Sequence, residues 1–339
     1  MAINPVEFYQ QVLSLSIEER SSGYKDLVSN NNVFLALINK KNLWESYSGP
    51  RIRQTLQIDK AAMQWFSGYD FLNNPPLELF NDAYYTPKWA VVPISLTMEE
   101  IWNNSGPNQI RPVVRSYMEA AERALQDGME EGVFSDGSAN GGKQIGGLDL
   151  AVPIVDDAGV YGGISRADFA IWRTTTYDAD TDFPTIGTQV NSVTVRPIYE
   201  QIMMNHTRGN KAPDLVLASQ EHYAAYSAAT VAIQRIQRTG GVGDMGFTSL
   251  EFIGGGHRAE IVLGGGIRGS MPANTTFFLD TDSFRMRYNP EFYFDKLFKG
   301  DGQMPINQAA LAQFIGFGGE LTMVNPLMNA RLIDSDTAS

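Results

Sequence analysis

Apolar residues recur at helical spacing twice near the start of the chain, first at Val12 and Leu15 and then at Val33, Phe34, Leu37 and Ile38, which predicts two short helices. Asn30, Asn31 and Asn32 lie between them, and their short amide side chains can cap or turn the backbone by bonding nearby main-chain groups. From Lys40 to Thr97 the helical period fades, except around Ala61 to Phe66. Turn signals take over there, at Ser48-Gly49-Pro50, Ser67-Gly68 and Asn73-Asn74-Pro75-Pro76. Arg51 to Leu56 going out and Tyr85 to Leu96 coming back predict the two legs of a long hairpin, with Pro87 and Pro93 marking the return leg as an edge. The longest periodic stretch follows. Ile110, Val113, Val114, Tyr117, Met118, Ala121, Leu125 and Met129 repeat at intervals of three and four and line one face over about five turns of helix. Asn108 is placed to cap that helix, Pro112 falls in its first turn, and Gly132 follows its last periodic residues.

Glycine then punctuates the chain from Asp136 to Leu148, a connector that predicts a boundary between two regions. Between about 150 and 272 the pattern is mixed: a helix over Val195 to His206, a buried strand at Leu215-Val216-Leu217, and a helix from Gln220 to about Arg238. After Pro272 strands dominate, at Thr276 to Leu279, Phe284 to Tyr288 and Gly319 to Val324. Ala309 to Phe317 fits either a strand or a short helix, and periodicity does not decide between them.

The excursion before the long helix is rich in aromatic residues. Four of the five tryptophans, Trp44, Trp65, Trp89 and Trp102, lie in or just beyond it, together with Phe66, Tyr69, Phe71, Tyr84 and Tyr85. Long connections without structure of their own are uncommon unless functional, and aromatic side chains are enriched at interface cores. The excursion therefore reads as a surface that buries itself on a neighbouring subunit. The candidate residues are Trp44, Arg51, Arg53, Lys60, Trp65, Phe66, Tyr69, Phe71 and Trp89. A strand pair serving only its own domain is the plainer alternative.

Composition narrows the picture. A chain of 339 residues exceeds a single core and implies about two packed regions. With 43% hydrophobic and 19% charged residues it is neither disordered nor a membrane span, and Ala2 to Phe8 does not resemble an export leader. The absence of cysteine excludes disulfides, thiolate nucleophiles and sulfur-ligated zinc. A net charge of -12 repels phosphate at long range, so any nucleic acid is a local or incidental contact.

Enzymatic motifs are incomplete. Gly241 to Gly246 and Gly264 to Gly269 both match G-x-G-x-x-G, yet neither runs from strand into helix, and with 32 glycines such matches arise as loop punctuation. Asp178, Asp180 and Asp182 begin like a calcium loop, but Phe183 and Gln189 stand where glycine and the bidentate glutamate belong, which leaves a solvated acidic turn. His206, His222 and His257 have no metal spacing, Gly163 to Ala167 falls short of a nucleophile elbow, and no phosphate-binding loop is present. No catalytic, metal or cofactor-binding residue is expected.

The order of the pieces resembles the major capsid proteins of tailed bacteriophages with the Hong Kong 97-type fold. The residues carrying the resemblance are Asn104-Ser105-Gly106 before the long helix, Gly137 through Leu148 after it, Pro213 to Ser219 with Tyr223, and Pro272 to Asp282. It implies an α+β fold: an N-terminal arm over 1–40, an extended β-hairpin loop over 41–96, a peripheral domain with a spine helix over 97–139, an axial domain over 140–272, and a return to the peripheral domain over 273–339. It also implies hexamers and pentamers building an icosahedral shell around packaged double-stranded DNA, held without sequence-specific binding, in the virion after assembly in host cytoplasm. A portal is an implied partner, no membrane is, and a decoration protein stays open. Some relatives carry a fused N-terminal scaffold for which this chain has no room, so a separate scaffolding protein is expected. Some cross-link a lysine of the extended loop to a neighbour's asparagine; Lys60 is the residue to compare, with no asparagine matched. Two rivals are an encapsulin-like nanocompartment shell and an α+β enzyme with an unrecognised site.

Overall fold

The computed structural model describes residues 32–57, 63–72, 79–103, 113–230, 249–265, 270–297 and 309–335. Helix α1 (Val33–Lys40) starts where the asparagine run predicts it, because Asn32 Oδ1 accepts the amides of Phe34 at 2.9 Å and Leu35 at 3.4 Å. This segment was expected to belong to an N-terminal arm. It is core instead: Val33 through Ile38 are all buried, and the Phe34 ring meets Phe284 edge-on at 5.3 Å. The first stripe, at Val12 and Leu15, lies outside the described residues.

A four-stranded sheet in the order β1 (Trp44–Ser46), β12 (Phe284–Lys296), β13 (Ala310–Met323) and β4 (Lys88–Thr97) receives α1. The ambiguous stretch from Ala309 to Phe317 is strand. It is the first half of β13, which pairs with β12 on one side and β4 on the other; burial alternates from Ala310 to Ile315, but Gln313 is a buried position while Ala310, Ala312 and Phe314 are only partly buried, so polarity does not follow the alternation. Trp44, expected at an interface, is only 7% exposed. Its ring packs among Tyr293, Phe294 and Phe317 at 5.8, 6.2 and 6.1 Å, an aromatic cluster whose members stand far apart in sequence.

The hairpin exists with a different return leg. β2 (Ile52–Gln57) pairs antiparallel with β3 (Phe80–Tyr85), from Ile52 opposite Tyr85 to Gln57 opposite Phe80. Pro87 has no N–H to extend that ladder, so the chain breaks at Thr86 and Pro87 and re-enters the body as β4. As the prolines predicted, β4 is an edge strand, with β13 along one side only.

Helix α2 (Val113–Phe134) is the long periodic helix. Met118, Ala121, Leu125 and Met129 are buried as the spacing requires, and the stripe continues through Val133 and Phe134. The helix thus passes Gly132, where it was expected to stop; burying two further apolar side chains outweighs the roughly 1 kcal/mol that glycine costs in a helix interior. Asn108 and Pro112 lie outside the described residues.

A six-stranded sheet forms the rest, in the order β7 (Thr175–Asp178), β14 (Ala330–Ile333), β11 (Thr275–Leu279), β8 (Leu215–Ala218), β10 (His257–Leu263) and β9 (Ser249–Gly254). Its central strands are buried on both faces. Leu215, Leu217, Phe277 and Leu279 point into the core shared with α2 and the four-stranded sheet, while Val216, Ala218 and Phe278 point into a second core under α3 (Val195–Asn205) and α4 (Gln220–Thr230). The helix predicted from Gln220 is described as far as Thr230. Strands β7, β9, β10 and β14 had no sequence expectation. The expected boundary at 272–273 falls inside this sheet, because β11 and β14 pair there and do not join the four-stranded sheet.

Relocating Trp44 to the core makes a specific prediction. Trp44→Ala lowers unfolding free energy by about 3 to 5 kcal/mol, read as a shifted urea midpoint in the unassembled protein; an unchanged midpoint would return Trp44 to the surface.

Candidate intersubunit surface

One face of the β2–β3 ribbon, Ile52, Leu56, Ala83 and Tyr85, is buried in the main core, and the ribbon's root is built from aromatic rings. Tyr85 and Ala83 are buried at the foot of β3, where the Tyr84 amide donates to Gly162 O at 2.8 Å. Gly162 belongs to the small turn between β5 (Val160–Tyr161) and β6 (Ile164–Ser165). The Tyr85 ring meets Tyr161 edge-on at 5.2 Å, and Tyr161 stacks on Trp172 at 5.9 Å, whose Nε1 donates to Tyr161 O at 2.9 Å. The two tyrosine hydroxyls donate into β13, Tyr85 to Met323 O and Tyr161 to Leu321 O. Burial pushes both phenols well above their ordinary range, so they stay neutral donors at any physiological pH. Sequence reasoning missed Tyr161 and Trp172. The Gly162-Gly163 pair signals a turn, but nothing local says that a tyrosine beside it will seat a strand from far upstream.

Along the ribbon, Arg53 Nη2 lies 2.6 Å from Asp82 Oδ2, while Thr55 Oγ1 donates to Asp82 Oδ1 at 2.7 Å. These bonds hold the Asp82 carboxyl below the usual range. The pair is solvent-exposed and helps keep the two legs in register more than it adds stability. Arg51 is exposed at the foot of β2. Lys60 lies outside the described residues.

The described part of the ribbon's tip is residues 63–72. A short turn there joins the Ser67 amide to Asp70 Oδ2 at 2.8 Å and the Asp70 amide to Ser67 O at 3.2 Å. Its side chains face solvent: Trp65 is 87% exposed, Phe66 66%, Tyr69 109% and Phe71 94%, with Met63 and Leu72 exposed beside them. Trp89 is placed differently. It stands on β4, 53% exposed, lying against the Phe292 ring at 5.8 Å. A Cβ at Gly318 would come within 2.3 Å of the indole, so glycine at that position lets Trp89 lie flat on the sheet. Beside it, Trp89, Val91, Leu125, Met129 and Ile145 line a groove of about 340 Å³ between β4 and α2. The nine candidates thus separate into Trp44 in the core, Arg51 and Arg53 on the ribbon, Trp65, Phe66, Tyr69 and Phe71 at its tip, and Trp89 at the groove, with Lys60 undescribed.

Among the described residues no group of three or more His, Asp or Glu side chains is arranged to hold a metal. His222 is buried with Nδ1 against Thr276 Oγ1 at 2.8 Å, and burial pushes its pKa down to about 4; His206 Nδ1 pairs with Leu327 O at 2.9 Å. Both are core histidines; His206 Nε2 also meets the Tyr177 hydroxyl at 3.3 Å, whereas His222 Nε2 is buried without a hydrogen-bond partner. Ala179–Asp182 is one helical turn, with Asp178 accepting from Ser335 Oγ at 2.8 Å. Residues 241–246 and 266–269 lie outside the described residues, so both glycine motifs do as well, wholly or in part. No helix among the described residues is long and apolar enough to cross a membrane.

No protein-family model matches the sequence, and no curated protein matches it. Solved structures do match its fold. The capsid asymmetric unit of cyanophage A-1(L) superposes with a TM-score of 0.58 at 12% identity, covering 86% of this chain and 90% of that one. The capsid of a native GTA particle gives 0.57 at 9% identity, covering 88% and 90%. An encapsulin complex from Synechococcus elongatus PCC 7942 gives 0.52 at 10% identity, covering 88% and 86%. The chain therefore has the α+β fold of these shells, the Hong Kong 97-type fold that the order of its elements implied.

Since the tip aromatics touch little of their own subunit, replacing Trp65, Phe66, Tyr69 and Phe71 together by serine leaves the urea midpoint of the unassembled protein within the roughly 0.5 kcal/mol typical of surface changes. A large loss of stability would show that the tip packs on its own body.

Proposed function

We infer that this protein is the major capsid protein of a tailed bacteriophage, a non-enzymatic subunit that assembles through hexamers and pentamers into the icosahedral shell around packaged double-stranded DNA. The observation that carries the reading is the exposed aromatic tip of a firmly rooted ribbon, on a fold shared with capsid subunits. Burying one aromatic side chain removes roughly 150 to 250 Å² from water. Four of them supply about 600 to 1,000 Å², comparable to the roughly 800 Å² that each partner contributes to a standard interface. A monomer gains nothing from holding that area in solvent, whereas a subunit that lays it on a neighbour gains an interface core. Trp65, Phe66, Tyr69 and Phe71 are the residues we assign to that contact, with Trp89 and its groove as part of the receiving face. Arg51, Arg53 and Lys60 are assigned to the polar rim.

The ribbon tip and the groove are unlike surfaces, so a subunit that engages a different neighbour with each makes a heterologous contact, which closes into rings when the rotation permits. The reading places the protein in the virion, with a portal, a separate scaffolding protein and an external decoration protein as its prospective partners. The likeness to an encapsulin supports a second reading, a nanocompartment shell, which differs in what is enclosed.

Negative-stain electron microscopy of the purified protein, with size-exclusion chromatography beside it, tests the proposal. Closed shells, tubes or six-membered rings are expected, and replacing residues 63–72 by a glycine–serine linker abolishes them while the subunit stays folded. Shells from the native source contain double-stranded DNA on the first reading and a cargo protein on the second. A monomer that stays monomeric at all concentrations and with co-expressed scaffold overturns both.

A further inference from the structure

Glu320 stands in β13 where the ribbon root, the glycine connector and the start of β4 converge. Its side chain is buried, Oε1 accepts the Gly146 amide at 2.7 Å, and Oε2 has no hydrogen-bond partner. A Cβ at Gly146 would lie 3.0 Å from Oε1 and 2.4 Å from Leu150 Cδ2, so the close approach of connector to carboxyl requires glycine at that position. Beside the carboxyl is a cavity of about 190 Å³ that Tyr85, Lys88, Asp136, Tyr161 and Gly162 also line. An ionised carboxylate with one oxygen unpaired in such a place is costly, while a neutral carboxylic acid is tolerated.

We propose that Glu320 is a proton-responsive latch on the hinge of the β2–β3 ribbon: neutral, it holds the root and the connector closed together, and opening the hinge releases it to water, where it ionises. The proposal goes beyond the assembly reading and does not depend on it, because the hinge lies within one subunit. The connectivity shows how the latch acts. Lys88 pairs in the ladder opposite Gly319, the residue before Glu320, and follows Tyr85 by only Thr86 and Pro87. Its ammonium is tied to Gly142 O of the connector. Tyr85 and Tyr161 hang from the carbonyls of Met323 and Leu321, on the same strand as Glu320. A displacement of the Glu320 side chain therefore reaches the end of β3, the start of β4 and the connector at once.

The other charged and titratable groups around it are accounted for. Lys88 is the cation that acts on the carboxyl, and Asp136 and Tyr84 stand on the cavity wall. Arg166 lies over the Tyr161 ring at 5.3 Å with Nη2 donating to Leu150 O. Arg287, opposite Glu320 in the ladder, is engaged by Glu45, and Asp149, next to Leu150, by Arg331. Burial raises the Glu320 carboxyl from its ordinary 4.5 to about 8, and the Gly146 amide and Lys88 offset part of that rise. Between those two values the closed hinge keeps a proton that the open hinge has released. Opening therefore becomes about tenfold more favourable for each pH unit across this interval and levels off above it.

Amide hydrogen exchange of the unassembled protein, read by mass spectrometry from about pH 5 to about pH 10 and corrected for intrinsic exchange rates, measures this opening. Peptides covering residues 79–90 and 136–147 are expected to lose about tenfold protection per pH unit and to level off near pH 8. Glu320→Gln, which keeps the shape and cannot ionise, flattens the profile. Lys88→Met, which removes the facing cation, moves the levelling point to higher pH. Should Glu320→Gln fail to fold, the carboxylic-acid C=O infrared band of the wild-type protein still decides the matter, since the proposal requires it to persist to near pH 8. The same pH profile in wild type and Glu320→Gln, or a Glu320 already ionised at about pH 6, overturns the proposal.

Discussion

A two-stranded ribbon cannot hold its own direction in water. Alone, it has no second layer to bury a face against, and isolated hairpins are marginal for that reason. The β2–β3 ribbon obtains its attitude by burying one face, Ile52, Leu56, Ala83 and Tyr85, in the main core, and at its foot Tyr85 is seated against Tyr161 with both hydroxyls hanging from carbonyls of β13. The exposed Arg53–Asp82 pair further out contributes register more than energy. Where the aromatic tip is presented is therefore decided by that buried face and by the root together. The root in turn is inseparable from β13, which is the central strand of its sheet and paired along both sides.

The same logic makes the two halves of the body one mechanical unit. Strands β8 and β11 send alternate side chains into two different cores, so neither core can be repacked without moving the shared sheet. Arg331 extends that coupling. It stands in register with Phe277, places its guanidinium over that ring at 5.0 Å, and pairs with Asp149 beside the glycine connector. Burial alone pulls the Arg331 pKa down, and the Asp149 carboxylate partly restores it. An ion pair of this kind is weak as net stabilisation but expensive to break from one side. It ties the connector after α2 to the sheet that carries the second core.

Sequence pattern read some of this directly and missed other parts for physical reasons. The α2 face was legible because one helix side is buried and the other solvated, which gives the 3.6-residue period its contrast. The edge character of β4 was legible because proline excludes a ladder bond wherever it stands. The return leg was misplaced since Tyr85 to Leu96 reads as one extended run, and only pairing shows that its two ends belong to different sheets. Trp44 looked like an interface residue by its company in sequence, but its real neighbours, Tyr293, Phe294 and Phe317, come from the far end of the chain. Glu320 carried no local signal at all. Its role is set by burial and by Gly146, more than 170 residues upstream.

Exposed aromatics and net negative charge act over different ranges, and the difference orders the steps of association. At physiological ionic strength charges are screened beyond about 8 Å, so a net charge of -12 opposes encounter only weakly until surfaces nearly touch. At contact, the described tip offers four aromatic rings beside a single carboxylate, Asp70, which its own turn already engages through the Ser67 amide. Desolvation of the rings then dominates and charge sets only the threshold. The tip also differs in shape and chemistry from the groove beside Trp89, so two copies cannot satisfy each other by a twofold exchange of tips alone. On the proposed assembly, a subunit engaged with a different neighbour on each side would still offer an unused tip or an unused groove, and growth would continue until the geometry of the root closes the ring. On the assembly reading, the angle at which Tyr85 and Tyr161 fix the ribbon is therefore a determinant of how many subunits that ring contains.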